Sequence, residues 1–312
     1  MRLSRGRRFI VGVLAASIGL GVCLHPNAAR GESDSSRVAR LFMWASSSGV
    51  RFVDMVQPAK DSIAMMGEAG ARWLARKLAS TDARERHALA DIFAKLGDVA
   101  TPYVVPCLDS AGEDIPKNAA RALGRIGDSA ATEPLLTHLV HDKYGVRSEV
   151  ATALGKIGDP RAAEGLMARL AVELDGDVRK SLTVALGAIG DARAAAILID
   201  ALADPFFGVR QTAVRALAQI EPAPIADLIA AIDTLRSLPL YGAIVALGEL
   251  DDEQARATLT PLLAHADPYV RGFAVEGLSR HPDDGVHERV ADLKDIETDP
   301  FVLAQIARFE SR

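Results

Sequence analysis

An apolar residue recurs every 30 to 32 positions along most of the chain, at Ile63, Phe93, Leu123, Leu154, Leu186, Leu217, Leu247 and Leu278. Around three of these anchors the text is nearly literal: Ala122-Leu-Gly-Arg-Ile-Gly-Asp128, Ala153-Leu-Gly-Lys-Ile-Gly-Asp159 and Ala185-Leu-Gly-Ala-Ile-Gly-Asp191. In the unit from 158 to 190, Val178, Leu182, Ala185, Leu186 and Ile189 fall at the spacing of one helix face, which predicts a helix over 178–189. A companion helix over 162–170 is opened by Asp159 as cap and Pro160 at the first helical position. Asp175-Gly176-Asp177 separates the two, and Gly190 ends the second. Similar punctuation recurs at Gly127-Asp128, Asp204-Pro205, Asp267-Pro268 and Asp299-Pro300. A helical hairpin of about 31 residues cannot bury its own apolar face, so successive hairpins must stack. The expected fold class is therefore all-α: an α-solenoid of about eight helical hairpins.

The N-terminal segment breaks this pattern. Arg2, Arg5, Arg7 and Arg8 precede an apolar run over 9–24, and small residues follow around 28–31. That is the layout of a secretory signal peptide, with Ala29 and Gly31 suiting cleavage after residue 31. The run is shorter than the roughly 20 residues of a spanning helix. An uncleaved anchor and a lipid anchor at Cys23 are the alternatives. Domain organisation then reads as a leader over 1–31, an N-terminal capping helix or linker over 32–58, and the repeat array over 59–312. Export places the protein in the periplasm or cell envelope, touching membrane only through a retained leader or lipid. The segment 301–309 reads as a lone closing helix.

Charge narrows the partners. The first 31 residues hold five arginines and no acid, so a formal charge of −5 becomes −10 without them. An acidic body with no basic block argues against nucleic acid. Without the leader, Cys107 is the one remaining cysteine, which leaves no intramolecular disulfide, and its apolar neighbours predict a buried, inert thiol.

The Val-Arg-x-x-x-x-x-Ala-Leu-Gly-x-Ile-Gly-Asp unit resembles the short HEAT-like repeat of the phycobilin-lyase type, within the armadillo-type α-solenoids. The match is strongest at Leu123, Leu154 and Leu186. It weakens after Ile220, where Glu221-Pro222 replaces Gly-Asp, and at Leu240, which stands where arginine is usual. Two enzymatic relatives follow from the resemblance. Deoxyhypusine hydroxylase carries His-Glu pairs at the second-helix starts to hold two irons; here those positions are Ser148-Glu149, Lys180-Ser181, Gln211-Thr212 and Gly272-Phe273. Chromophore lyases work inside photosynthetic cells, whereas this chain starts with an export pattern.

Other constellations have structural readings. His87 and His287 are not arranged for a di-metal site, and His138 with His141 reads as a pair of solvated histidines at a helix end. No metal or cofactor is expected. Arg147, Arg179, Arg210 and Arg271 each follow a valine, with Asp142, Asp177, Asp204 and Asp267 just upstream, which predicts an Arg–Asp ladder joining the loops of successive repeats. Gly124, Gly155 and Gly187 recur with the unit and indicate close helix packing.

On each second helix, the residues 2, 3, 6 and 10 positions after the first buried member point about 100–140° from the core. They vary from unit to unit. Lys117, Asn118, Arg121, Arg125, Glu149, Thr152, Lys156 and Lys180 make the first half of this face basic, while Arg215, Tyr241 and Phe273 lead to an aromatic and acidic far end. The expected function is a non-enzymatic protein–protein interaction scaffold that binds an acidic or extended segment of another protein along the concave face. The alternative is an enzyme or enzyme-assembly factor of the chromophore-lyase or hydroxylase type.

Overall fold

The computed structural model describes residues 32–47 and 53–311; the expected leader, Cys23 included, lies outside them. Helices alternate along the chain as first and second members of hairpins: α1 (Asp34–Ala45) and α2 (Val53–Ala64), α3 (Gly67–Ala75) and α4 (Ala83–Leu96), α5 (Thr101–Val104) and α6 (Asp114–Ile126). Next come α7 (Thr132–Thr137) and α8 (Tyr144–Ile157), α9 (Ala163–Leu170) and α10 (Gly176–Ile189), α11 (Ala195–Asp200) and α12 (Phe207–Leu217). The last are α13 (Ile225–Thr234) and α14 (Ser237–Gly248), α15 (Glu253–Leu259) and α16 (Pro268–Leu278), α17 (Asp284–Ile296) and α18 (Pro300–Glu310). Among the described residues the only extended pairing is an isolated bridge between Asp191 and Glu221.

All eight anchors are buried, none more than 1% exposed. Each sits near the end of an even-numbered helix, and consecutive second helices pack side by side. Asp159 caps the turn Pro160–Ala162 that leads into α9, Asp175 caps α10, and Asp267 and Asp299 cap α16 and α18. These side chains accept hydrogen bonds from amides that the helix itself leaves unpaired. Gly127, Gly158 and Gly190 close α6, α8 and α10 with φ of 76°, 70° and 74°, a left-handed geometry in which a Cβ would be strained.

The ends of the array differ from expectation. Helix α2 runs through residue 58 with Pro58 inside it and carries Ile63, so it is the second helix of a hairpin whose first helix is α1. Residues 34–45 and 53–58 thus belong to the helices of this first hairpin. Val38, Leu41 and Phe42 of α1 are buried, and Phe42 meets Trp73 of α3 with ring centroids 5.4 Å apart. At the other end α18 is no lone helix: α17 precedes it, and Phe309 lies 31 positions after Leu278. The described helices thus form nine hairpins.

The glycines at the anchor-plus-one position explain how second helices approach one another. A Cβ on Gly124, Gly155 or Gly187 would lie 2.8, 2.8 or 2.7 Å from the Cα of Ala153, Ala185 or Ala216 in the next second helix. At Gly248 it would lie 2.3 Å from the Cα of Gly277. In the unit of Leu217 the equivalent residue is Ala218. Its methyl group could not enter a contact that close.

Candidate interaction face on the second helices

The basic half of this face is less charged than its sequence suggests. Arg121 donates to both oxygens of Glu149, from Nε at 3.2 Å and Nη2 at 2.6 Å, so these two residues neutralise each other across α6 and α8. Lys117 faces Glu113 at 3.7 Å. Asn118 is not a surface ligand at all: it is buried, and its Nδ2 donates to the carbonyls of Leu78 at 2.8 Å and Ser80 at 3.4 Å, tying α6 to the preceding hairpin. Thr152 is half-buried and donates to the Ser148 carbonyl at 2.9 Å. Arg125, Lys156 and Lys180 are exposed on α6, α8 and α10 and remain as the cationic ridge.

Between α12, α14 and α16 the face opens into a groove of about 360 Å³. Phe207, Leu238, Tyr241, Val245 and Phe273 form its apolar wall, with Arg210, Arg215, Glu249, Glu276 and Arg280 around it. Tyr241 stacks on Phe273 at 5.2 Å between centroids with an interplanar angle of 25°. Tyr269 and Phe301 extend the cluster, at 5.3 Å from each other and 5.4 Å from Phe301 to Phe273. The Tyr241 hydroxyl donates to Asp267 Oδ2 at 2.7 Å, and this bond to a carboxylate pushes the phenol up to about 12. Arg280 is occupied by Glu249 at 2.7 Å and Glu276 at 3.9 Å. Phe207 and Leu238 are 65% and 58% exposed, so the wall offers apolar surface to solvent. Of the residues expected on this face, the groove gathers Arg215, Tyr241 and Phe273. Phe207 and Leu238 lie at helix starts, ahead of the positions used to define the face, and were not expected there.

The arginine ladder lies at the second-helix starts, and its partners differ from the acids just upstream. Each Nη1 holds carbonyls of its own loop, as Arg147 holds those of His141 at 2.8 Å and Asp142 at 3.2 Å. The carboxylate comes from the following hairpin, 25 or 26 residues on: Glu173 for Arg147, Asp204 for Arg179 and Glu297 for Arg271, at 2.7 to 2.9 Å. Asp204 therefore serves the ladder and does not cap α12, Asp267 takes the Tyr241 hydroxyl, and the Asp142 and Asp177 side chains are not ladder partners. Burial pushes Glu173 upward, but hydrogen bonds from Arg147, the Asp175 amide and Arg169 outweigh it and hold the carboxyl at about 2.

The remaining groups are structural in their contacts. His138 is mostly shielded rather than solvated, with Nδ1 at 2.8 Å from the Pro134 carbonyl and Nε2 at 3.2 Å from Asp109. The exposed His287 has Nδ1 at 2.9 Å from the Asp283 carbonyl within its own helix. No cluster of three or more histidine, cysteine or acidic side chains able to hold a metal occurs among the described residues. Cys107 is half-buried rather than buried; its Sγ lies 3.6 Å from the Tyr103 carbonyl, and burial pushes the thiol up.

The HEAT repeat family profile matches residues 101–187 and 166–239. No curated protein matches by sequence. Among solved structures the chain is similar to an engineered protein, with 22% identity over 90% of this chain and 91% of that one and a TM-score of 0.42. It is similar to the complex of CpcE and CpcF of phycocyanin lyase from Nostoc, with 21% identity over 87% and 97% and a TM-score of 0.39. It is also similar to human deoxyhypusine hydroxylase in complex with glycerol, with 20% identity over 79% and 96% and a TM-score of 0.36. The spacing of the anchors, the stacked hairpins and the profile match agree: the chain has an all-α solenoid fold and carries HEAT repeats over residues 101–239.

Proposed function

We propose that this protein is a binding scaffold that holds an extended segment of another protein along its second helices, and that it works by binding rather than by catalysis. The groove between α12, α14 and α16 carries this reading: it joins exposed apolar surface from Phe207 and Leu238 to stacked aromatic rings and a rim of charged side chains. Aromatic anchors beside polar groups are the composition of a recognition surface. The cationic ridge of Arg125, Lys156 and Lys180 continues from it along the same face and favours an acidic partner over nucleic acid, since the rest of the chain is acidic. The leader pattern over 1–31 supports export to the periplasm or cell envelope, with the leader removed, retained or lipidated at Cys23.

A photo-crosslinking amino acid at Gln211, in the groove, and a second variant with it at Glu288, on the exposed side of α17, test this reading in envelope extracts. Adducts specific to the Gln211 variant are expected. Equal adducts from both variants, or none from either, would leave the groove without a binding role. Mass spectrometry of the mature N-terminus decides the fate of the leader.

A further inference from the structure

In the ladder, Arg147, Arg179 and Arg271 each present the Nε–Nη2 edge of the guanidinium to a carboxylate of the next hairpin. Arg210 keeps half of this arrangement. Its Nη1 donates to the carbonyls of Asp204 at 2.7 Å and Pro205 at 3.1 Å, and its guanidinium lies 5.6 Å from the Phe207 ring. At the acidic position, 25 and 26 residues on, the chain has Leu235 and Arg236, and Arg236 turns back to the carbonyls of Asp233 and Leu235. No carboxylate from the described residues meets the Nε–Nη2 edge of Arg210, and Arg210 lines the groove. Arg86 also makes only a carbonyl contact, to Thr81 at 2.6 Å, but the cavity beside it has room for about 10 Å³, the size of one water. Among the described second-helix arginines that hold loop carbonyls through Nη1, Arg210 is the one whose unmatched edge adjoins space for a side chain.

We propose that the groove recognises an acidic side chain of the partner segment, its carboxylate paired in fork geometry with the Nε–Nη2 edge of Arg210 and a neighbouring bulky apolar side chain set against Tyr241 and Phe273. This rests on the scaffold reading and names the chemistry of the bound segment. The charge balance of the groove favours it. Glu249 and Glu276 are taken by Arg280, which leaves Arg210 and the exposed Arg215 as cations without a carboxylate partner. A partner carboxylate would then make the same bidentate contact that Arg147, Arg179 and Arg271 make with acids of the next hairpin.

The test is to pan a random dodecapeptide phage library on the full chain and to measure synthetic, fluorescently labelled copies of the selected peptides. The expected consensus places Asp or Glu within two residues of an aromatic or large aliphatic residue. Affinity should fall about tenfold or more in Arg210→Gln, with partial recovery in Arg210→Lys, and a Glu→Gln peptide should lose the same factor on wild type and nothing further on Arg210→Gln. Leu238→Glu, at an exposed position, supplies a competing carboxylate with Arg210 intact and should also weaken binding, which keeps the test valid if Arg210→Gln is poorly folded. Peptides without an acid, affinities indifferent to both Arg210→Gln and Leu238→Glu, or no selected peptide would overturn the proposal. Peptides that are lost only when Arg125, Lys156 and Lys180 are changed to Glu would overturn it as well, yet leave the scaffold reading standing.

Discussion

Arg179 and Asp204 join two hairpins through a two-point contact, Nε to Oδ2 at 2.7 Å and Nη2 to Oδ1 at 2.9 Å, while Nη1 of the same guanidinium holds the Leu174 carbonyl at 2.9 Å. One side chain thus ties its own loop to the next. Both partners are largely shielded from water, so the contact is screened far less than a surface pair. In a solenoid each hairpin touches only its neighbours, and such links add to the interface terms that make the array cooperative.

Removing a ladder acid should therefore cost much more than removing the acid next to the arginine in sequence. Glu173 accepts from Arg147, Arg169 and the amides of Leu174 and Asp175. Glu173→Ala leaves the largely shielded Arg147 and Arg169 without their carboxylate and is expected to destabilise by about 3–5 kcal/mol. Asp142→Ala, at an exposed side chain, should stay within about 0.5 kcal/mol. Urea unfolding of both variants checks the contrast.

The same carboxylates set the acid limit of the fold. Glu173 and Glu297 are held at about 2, below the ordinary 4.5, the latter mainly by the hydrogen bond from Arg271. A carboxyl lowered on folding contributes stability that is fully present above its unfolded value and is lost as pH falls toward the folded one. The melting temperature should be flat above about pH 5 and fall between about pH 5 and pH 2. In the double variant Glu173→Gln with Glu297→Gln that fall should be shallower, from a lower starting point; an unchanged slope would show that other groups control it.

Gly155→Ala tests the packing of second helices. Helix propensity alone would favour alanine by about 1 kcal/mol. The added Cβ would sit 2.8 Å from the Ala185 Cα, a backbone atom that cannot yield alone. We expect net destabilisation of about 1–3 kcal/mol by thermal unfolding. Stabilisation would mean that α8 and α10 do not approach as described.

Asn118 separates stability from binding. Asn118→Ala removes the hydrogen bonds to the Leu78 and Ser80 carbonyls and should cost about 1–3 kcal/mol, because buried acceptors lose their donor. Capture of peptides selected on the wild-type chain should not change. A binding defect at unchanged melting temperature would restore Asn118 to the interaction surface.

The helical hairpins were legible because a period of 30 to 32 residues, the helix-face spacing of 178–189 and the Asp, Pro and Gly punctuation all point to the same local structure. The array ends were not. Helix α2 contains Pro58 and α18 follows a first helix without a Gly-Asp signature, so neither matches the unit by text, although both pack as members of it. Asn118 illustrates the limit of an angular argument: a helix position says which way a side chain starts out, but a hairpin packed against that face can bury it. The sequence names both Arg121 and Glu149 as residues of the face, yet their mutual neutralisation depends on the distance between two helices.

What the sequence determined by itself is the hairpin unit, its all-α class and the buried anchor row, since these follow from local periodicity and capping that each segment carries alone. Tertiary structure decided which acid each arginine meets, where the face opens and which cations stay unmatched. Those depend on the spacing and offset of neighbouring hairpins. That spacing is set where backbones touch, as at Gly155 against Ala185.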